Sequence, residues 1–187
     1  MPVIDRMDDA GKAVGFFVDN LHLEDLNPIN CGWHQRDSLR RFGPGIRDHY
    51  ILHYVLSGKG TFTCGGRTYP LEASGLFLIR PGEMVGYEAD EEDPWGYAWI
   101  GFEGRAAEPL LEKAGFMGET RTAVLPETRA CFQRIRQSDP DRPFSALRLC
   151  RYLYTVFTVL EEQSTALYSA GRTPALYAHR AAEYMQA

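Results

Sequence analysis

Tyr50-Ile51-Leu52-His53-Tyr54-Val55-Leu56-Ser57-Gly58-Lys59-Gly60-Thr61-Phe62-Thr63-Cys64-Gly65-Gly66 is the stretch on which the fold class turns. Residues 50–56 are β-branched, aromatic or aliphatic almost throughout, which is strand composition. Ser57–Gly60 turns the chain, and Thr61–Cys64 is a second strand. Gly65-Gly66 is a tight-turn signal, because glycine reaches positive φ without steric cost. The same texture continues downstream. Arg67–Leu71, Leu76–Ile79, Val85–Ala89 and Trp95–Phe102 all read as strands, parted by Arg80-Pro81-Gly82 and by the acidic tip Asp90-Glu91-Glu92-Asp93-Pro94. Short strands punctuated by Gly and Pro about every ten residues specify an antiparallel sandwich or barrel, not βαβ units.

On the N-terminal side the signal is weaker. Residues 1–12 are polar, Val14–Val18 is an expected edge strand, and residues 19–49 read as a long irregular approach with room for one more strand. On the other side, after Glu103, the apolar period becomes helical. Helices are expected over Ala106–Ala114, from Pro126 to about Asp139, and from Pro143 to Gln163. The third is apolar around most of its circumference, so it must be covered on two sides, by the domain's own elements or by a second subunit. Leu149, Leu153, Val156 and Leu160 are its candidate dimerisation residues. Gly171–Pro174 is a joint, and Ala175–Ala187 begins another amphipathic helix. The expected division is therefore a segment and barrel over 1–102, a helical dimerisation segment over 103–170, and a linker with the start of a further region over 171–187.

The chain of 187 residues is 44% hydrophobic and 24% charged, which suits one globular domain and excludes disordered or collagenous classes. Its formal charge of −5 is unevenly spread. Residues 1–102 carry 9 basic and 15 acidic side chains, and residues 103–187 carry 11 and 10. An acidic first half is ill suited to gripping a polyanion, since nucleic-acid affinity draws on phosphate neutralisation. Cys31, Cys64, Cys131 and Cys150 form no CxxC pair, so they read as reduced thiols rather than a zinc knuckle. No apolar run approaches the roughly 18 residues that cross a bilayer. The N-terminus lacks the basic-then-apolar order of a signal peptide, and a cytoplasmic location is expected.

Candidate binding residues come from parity. In a regular strand Trp95, Tyr97 and Trp99 project from one face, and Ala98, Ile100 and Phe102 from the other. With Tyr87 on the preceding strand, these rings would either line a cavity suited to the apolar face of a sugar or simply fill the core. His53 is either a polar handle in that pocket or a satisfied core histidine. Arg47 would clamp a ligand carboxylate or hydroxyl, or tie the N-terminal segment to the barrel rim. His49 and His53 lie about 13 Å apart along an extended chain, too far to share a metal. No HxH, HExxH, GxSxG or phosphate-loop pattern is present, so no catalytic residue, metal or cofactor is expected.

Three blocks taken together resemble a known family. Phe42–Gly60, Leu78-Ile79-Arg80-Pro81-Gly82 and Asp93–Phe102 are similar, in order and spacing, to the N-terminal sensor domain of AraC/XylS-type bacterial transcription regulators. The resemblance implies a mainly β, cupin-like double-stranded β-helix (jelly-roll) barrel with C-terminal helices. It further implies a bound small effector, a homodimer, and DNA contact only through a C-terminal helix-turn-helix region that this chain lacks. Tyr87, Tyr97 and Trp99 match positions lining the sugar pocket of arabinose-responsive members. Gly43 stands where those members place a sugar-contacting arginine, which argues against arabinose itself. Metal-binding cupins use an HxH pair and a later histidine; here only His53 is present, and Val85 is aliphatic. The leading expectation is thus a carbohydrate-sensing regulator domain, not an enzyme and without a membrane partner. A metal-dependent cupin isomerase or dioxygenase and a ligand-free dimerisation module are the alternatives.

Overall fold

The strands Tyr50–Ser57, Gly75–Ile79 and Gly96–Glu103 carry apolar side chains on both faces, and the chain folds so that both are covered. The computed structural model describes residues 13–35, 41–116, 118–139 and 141–170. The strands are β1 (Ala13–Phe17), β2 (Asn27–His34), β3 (Arg41–Ile46), β4 (Tyr50–Ser57), β5 (Lys59–Cys64), β6 (Arg67–Glu72), β7 (Gly75–Ile79), β8 (Met84–Ala89), β9 (Gly96–Glu103) and β10 (Thr122–Val124). The helices are α1 (Ala107–Lys113), α2 (Arg129–Arg136), entered through a single 3-10 turn at Pro126–Thr128, and α3 (Ala146–Ala170).

The strands form a six-stranded sheet, β1-β2-β9-β4-β7-β10, and a four-stranded sheet, β3-β8-β5-β6. The antiparallel pairings nest around one hairpin. β5 pairs with β6, β4 with β7, β3 with β8, and β2 with β9. A long hairpin folded over on itself in this way is a jelly roll, the double-stranded β-helix of cupin-like barrels.

Along β4, Ile51 and Val55 join Phe62, Leu71, Phe77, Ile79 and Val85 between the two sheets. Leu52, Tyr54 and Leu56 point the other way and pack with Ala98, Ile100 and Phe102 under the helices. Tyr54 fixes α2 twice, with its ring stacked on Phe132 at 4.6 Å and its hydroxyl donating to the Leu125 carbonyl at 3.2 Å. Each buried side chain of Leu or Phe size contributes about 1.5–3 kcal/mol, so the helix-covered layer matters as much as the barrel interior.

Three expectations change here. The approach over residues 19–49 contains two strands, β2 and β3, where one was expected. β10, beyond the first helix, adds to the edge of the large sheet, and α1–α3 share one core with that sheet. Packing therefore continues across residue 102, and 103–170 is not a separate layer. Leu149, Leu153, Val156 and Leu160 are all buried within the chain's own core. They cannot form a surface for a second subunit; among the described side chains of α3, the large apolar ones that are exposed are Leu147 and Tyr154. The joint at 171–174 and the helix expected from Ala175 lie outside the described residues.

Candidate functional site

The inner face of the large sheet carries a row of side chains straight across four strands. Register places Gly32 of β2 opposite Trp99 of β9, Trp99 opposite His53 of β4, and His53 opposite Phe77 of β7. One rung over, His34 lies opposite Tyr97, with ring centroids 5.4 Å apart. From the small sheet, Tyr87 reaches across to this row, 5.2 Å from His53 and 5.9 Å from Tyr97. Trp95, just before β9, completes the cluster against Phe77 and Tyr97.

The rings face the barrel interior, not the helices, and the structure divides them by depth. Trp95 and Tyr97 are 1% and 5% exposed and act as a packed floor. Trp99 and Tyr87 are half-buried, as are Phe42, Arg47, Asn30 and His49. These make the mouth. Two open grooves of about 530 Å³ and 820 Å³ run over the small sheet, but neither is lined by Trp99, His53 or Arg47. Below the mouth, ring packs on ring, and of the mouth residues Phe42 and Tyr87 also line the smaller groove.

His53 is 3% exposed, and burial, with the Arg47 positive charge adding to it, pushes its imidazole down to about 3. It is neutral at any ordinary pH, because charging it in an aromatic surround without a partner would forfeit its hydration. Its Nδ1 has no hydrogen-bond partner, nor does Nε of Arg47. The Arg47 guanidinium lies 4.2 Å from the Phe42 ring centroid, and Phe42 stacks on Tyr87 at 4.9 Å. Buried polar atoms left unpaired are uncommon and costly. Trp95 Nε1, in the same cluster, is a third such atom.

The polar edge of this mouth was not expected from the sequence. Trp99 Nε1 donates to Asn30 Oδ1 at 3.1 Å, Asn30 Nδ2 lies 3.2 Å from His49 Nε2, and His49 Nδ1 lies 2.6 Å from Asp48 Oδ1. The bond from His49 holds the Asp48 carboxyl below the usual carboxylate range. Asn30, Gly32 and His34 share strand parity, and that alternation was the available signal. Among the described residues no three His, Cys, Asp or Glu side chains converge to hold a metal. All four cysteines are free thiols, and burial raises the Cys31 thiol far above its ordinary range.

The nested jelly roll of two antiparallel sheets is a cupin-like barrel. More specifically, residues 27–157 match the family model of the AraC-like ligand binding domain, and the chain belongs to that family. It is 40% identical over 90 residues to the Msm operon regulatory protein of Streptococcus mutans, covering 48% of this chain and 32% of that protein. It is 41% identical over 61 residues to the raffinose operon transcriptional regulatory protein RafR of Pediococcus pentosaceus, covering 32% and 22%. It is 27% identical over 153 residues to the lactose operon transcription activator of Staphylococcus xylosus, covering 79% and 54%. The chain thus spans about half or less of these relatives' length. Among solved structures it is similar to YhaK from Escherichia coli, 13% identical with a TM-score of 0.46, covering 61% of this chain and 51% of that one. Another is KdgF from Halomonas sp., 21% identical with a TM-score of 0.37, covering 50% and 82%. No helix among the described residues is long and apolar enough to cross a membrane.

Proposed function

We propose that this chain is the effector-sensing and dimerisation part of a DNA-binding transcription regulator, and that its effector is a carbohydrate held at the barrel mouth. One observation carries the reading: half-buried Trp99 and Tyr87 flank the buried His53 ring, whose Nδ1 has no hydrogen-bond partner. Aromatic faces with polar atoms between them suit a ring that is apolar on its faces and hydroxylated at its edge. The similar regulators from raffinose and lactose operons support a sugar as that ring. Of the six residues singled out for ligand binding, Trp99, Tyr87 and Arg47 would touch the sugar. His53 would accept or donate at the floor, and Tyr97 and Trp95 would hold that floor in place.

The role is binding rather than turnover, a reading supported by the regulatory proteins to which this chain is similar. Two subunits would meet through the outward side of α3, where Leu147 and Tyr154 are 71% and 49% exposed. DNA would be engaged by a region beyond the one matched here, consistent with the acidic first half of this chain. A thermal-shift series with raffinose, lactose and a panel of monosaccharides tests the effector class. A ligand that binds only the folded state stabilises it by RT ln(1 + L/Kd), where L is the free ligand concentration, and so raises its melting temperature. At least one carbohydrate is expected to do so at millimolar concentration. A flat response across the panel would refute the carbohydrate assignment.

A further inference from the structure

We infer that strand β2, acting through Asn30, fixes the angle at which the Trp99 indole meets a ligand, an inference that rests on the reading of Trp99 as the stacking surface of the mouth. An aromatic side chain at a barrel rim has a broad torsional well about its Cβ–Cγ bond and, when only half-buried, little packing to narrow it. Trp99 is held by three things, all of them on β2 or made possible by a glycine.

First, the indole N–H is a donor and nothing else, so the Asn30 atom 3.1 Å from it is the carbonyl oxygen. That choice propagates. The Asn30 amide nitrogen must then face His49 Nε2 at 3.2 Å, so Nε2 carries the lone pair and Nδ1 carries the hydrogen donated to Asp48 Oδ1 at 2.6 Å. The hydrogen bonds all run one way, from Trp99 to Asn30 to His49 to Asp48, and each group has a single consistent orientation. Second, a Cβ at position 32 would overlap the six-membered ring of Trp99, so the indole lies across β2 only because residue 32 is glycine. Third, a Cβ at position 101 would stand 2.6 Å from Asn30 Oδ1 and 2.9 Å from His49 Nε2, so Gly101 leaves the space in which those two side chains meet.

Asn30 is thus a positioning residue: it touches the stacking ring and sets its plane before a ligand arrives. A ring ordered in advance loses less freedom on binding, and this raises affinity. The test uses the chain labelled with nitrogen-15, whose three tryptophans give three indole N–H signals, with that of Trp99 assigned by Trp99→Phe. Asn30→Ala removes the acceptor. It is expected to shift the Trp99 signal, leave those of Trp33 and Trp95 in place, and weaken raffinose or lactose binding by about tenfold. Asn30→Asp keeps an acceptor and should restore both the signal and most of the affinity. If Asn30→Ala unfolds, His49→Ala gives the second reading, because it releases Asn30 while leaving the indole's acceptor present. An unmoved Trp99 signal in Asn30→Ala, or equal loss of affinity in the alanine and aspartate variants, would overturn the inference. A wild-type chain that binds neither sugar would count against the carbohydrate reading alone, since the Trp99 signal still decides what Asn30 does.

Discussion

His53 lies flat on Phe77, with ring centroids 4.6 Å apart and planes within 2°. The two residues are cross-strand partners at the centre of the large sheet, and Trp99 flanks His53 on the opposite side of β4. An imidazole sandwiched in this row, 3% exposed, is cut off from bulk solvent that would stabilise a charge. The polar atom at the bottom of the mouth is therefore a neutral one, able to exchange a hydrogen bond with a hydroxyl without carrying a charge into the barrel.

That neutrality gives stability a definite pH dependence. The His53 imidazole is pushed down to about 3 in the folded chain, whereas an exposed histidine takes its proton near 6.5. Between those values the unfolded chain binds the extra proton, so stability falls as pH drops from 6.5 toward 3. Above 6.5 the contribution is constant. Urea denaturation of His53→Gln across pH 4–7 should show a shallower acid limb than the wild type, and an identical slope would mean that His53 is not the group responsible.

Position on α3 separates packing from association. Leu153 is fully buried, so Leu153→Ala is expected to lower stability by about 3 kcal/mol through lost burial and a residual cavity. Leu147→Ser with Tyr154→Ser removes only exposed surface and should leave the denaturation midpoint nearly unchanged. In sedimentation it should instead shift the chain from dimer toward monomer. A double variant that sediments like the wild type would place the subunit contact elsewhere.

Arg80 ties the end of β7 to the first helix. Its guanidinium donates to both carboxylate oxygens of Glu108 and, at 2.6 Å, to the Phe116 carbonyl, and the Tyr50 hydroxyl donates to Glu108 at 2.9 Å. The arginine side chain is 13% exposed but its partner is 45% exposed, so solvent screens part of the pair. Arg80→Met should cost about 2 kcal/mol in chemical denaturation, much of it from the unpaired carbonyl and carboxylate left behind.

Gly58 joins β4 to β5 at a φ of +70°, and a Cβ there would stand 2.8 Å from the Asp93 carbonyl oxygen. Gly58→Ala combines left-handed strain with a backbone clash and should cost about 2–3 kcal/mol. Gly66→Ala, at φ +75° but with open space around it, should cost only the strain, about 1 kcal/mol. Melting temperatures of the two variants give the comparison, and equal losses would show that the approach of Asp93 and Pro94 is not tight.

The strands from Tyr50 onward were legible because β4 and β7 are nearly continuous apolar and aromatic runs and the turns between strands carry Gly and Pro. Parity also placed Tyr97 and Trp99 on one face and Phe102 on the other. It could not say how deep each ring sits, since depth depends on what the small sheet brings across. β2 was hidden for a physical reason. Pro28 sits at a register shift, where a missing N–H is tolerated, and Gly32 interrupts the pattern because the indole of Trp99 needs its space. The residues that make β2 look irregular are those that shape the mouth. α3 was legible as a two-sided helix, but periodicity alone does not distinguish burial under the chain's own sheet from burial under a second subunit.

Titration calorimetry of the wild type and Trp99→Ala with whichever carbohydrate most raises the melting temperature tests the central claim most directly. The mouth described here predicts a loss of tenfold or more in affinity, about 1.4 kcal/mol, with the denaturation midpoint little changed because Trp99 is only half-buried. Equal affinity in the two proteins would contradict it and place the sugar away from the aromatic row.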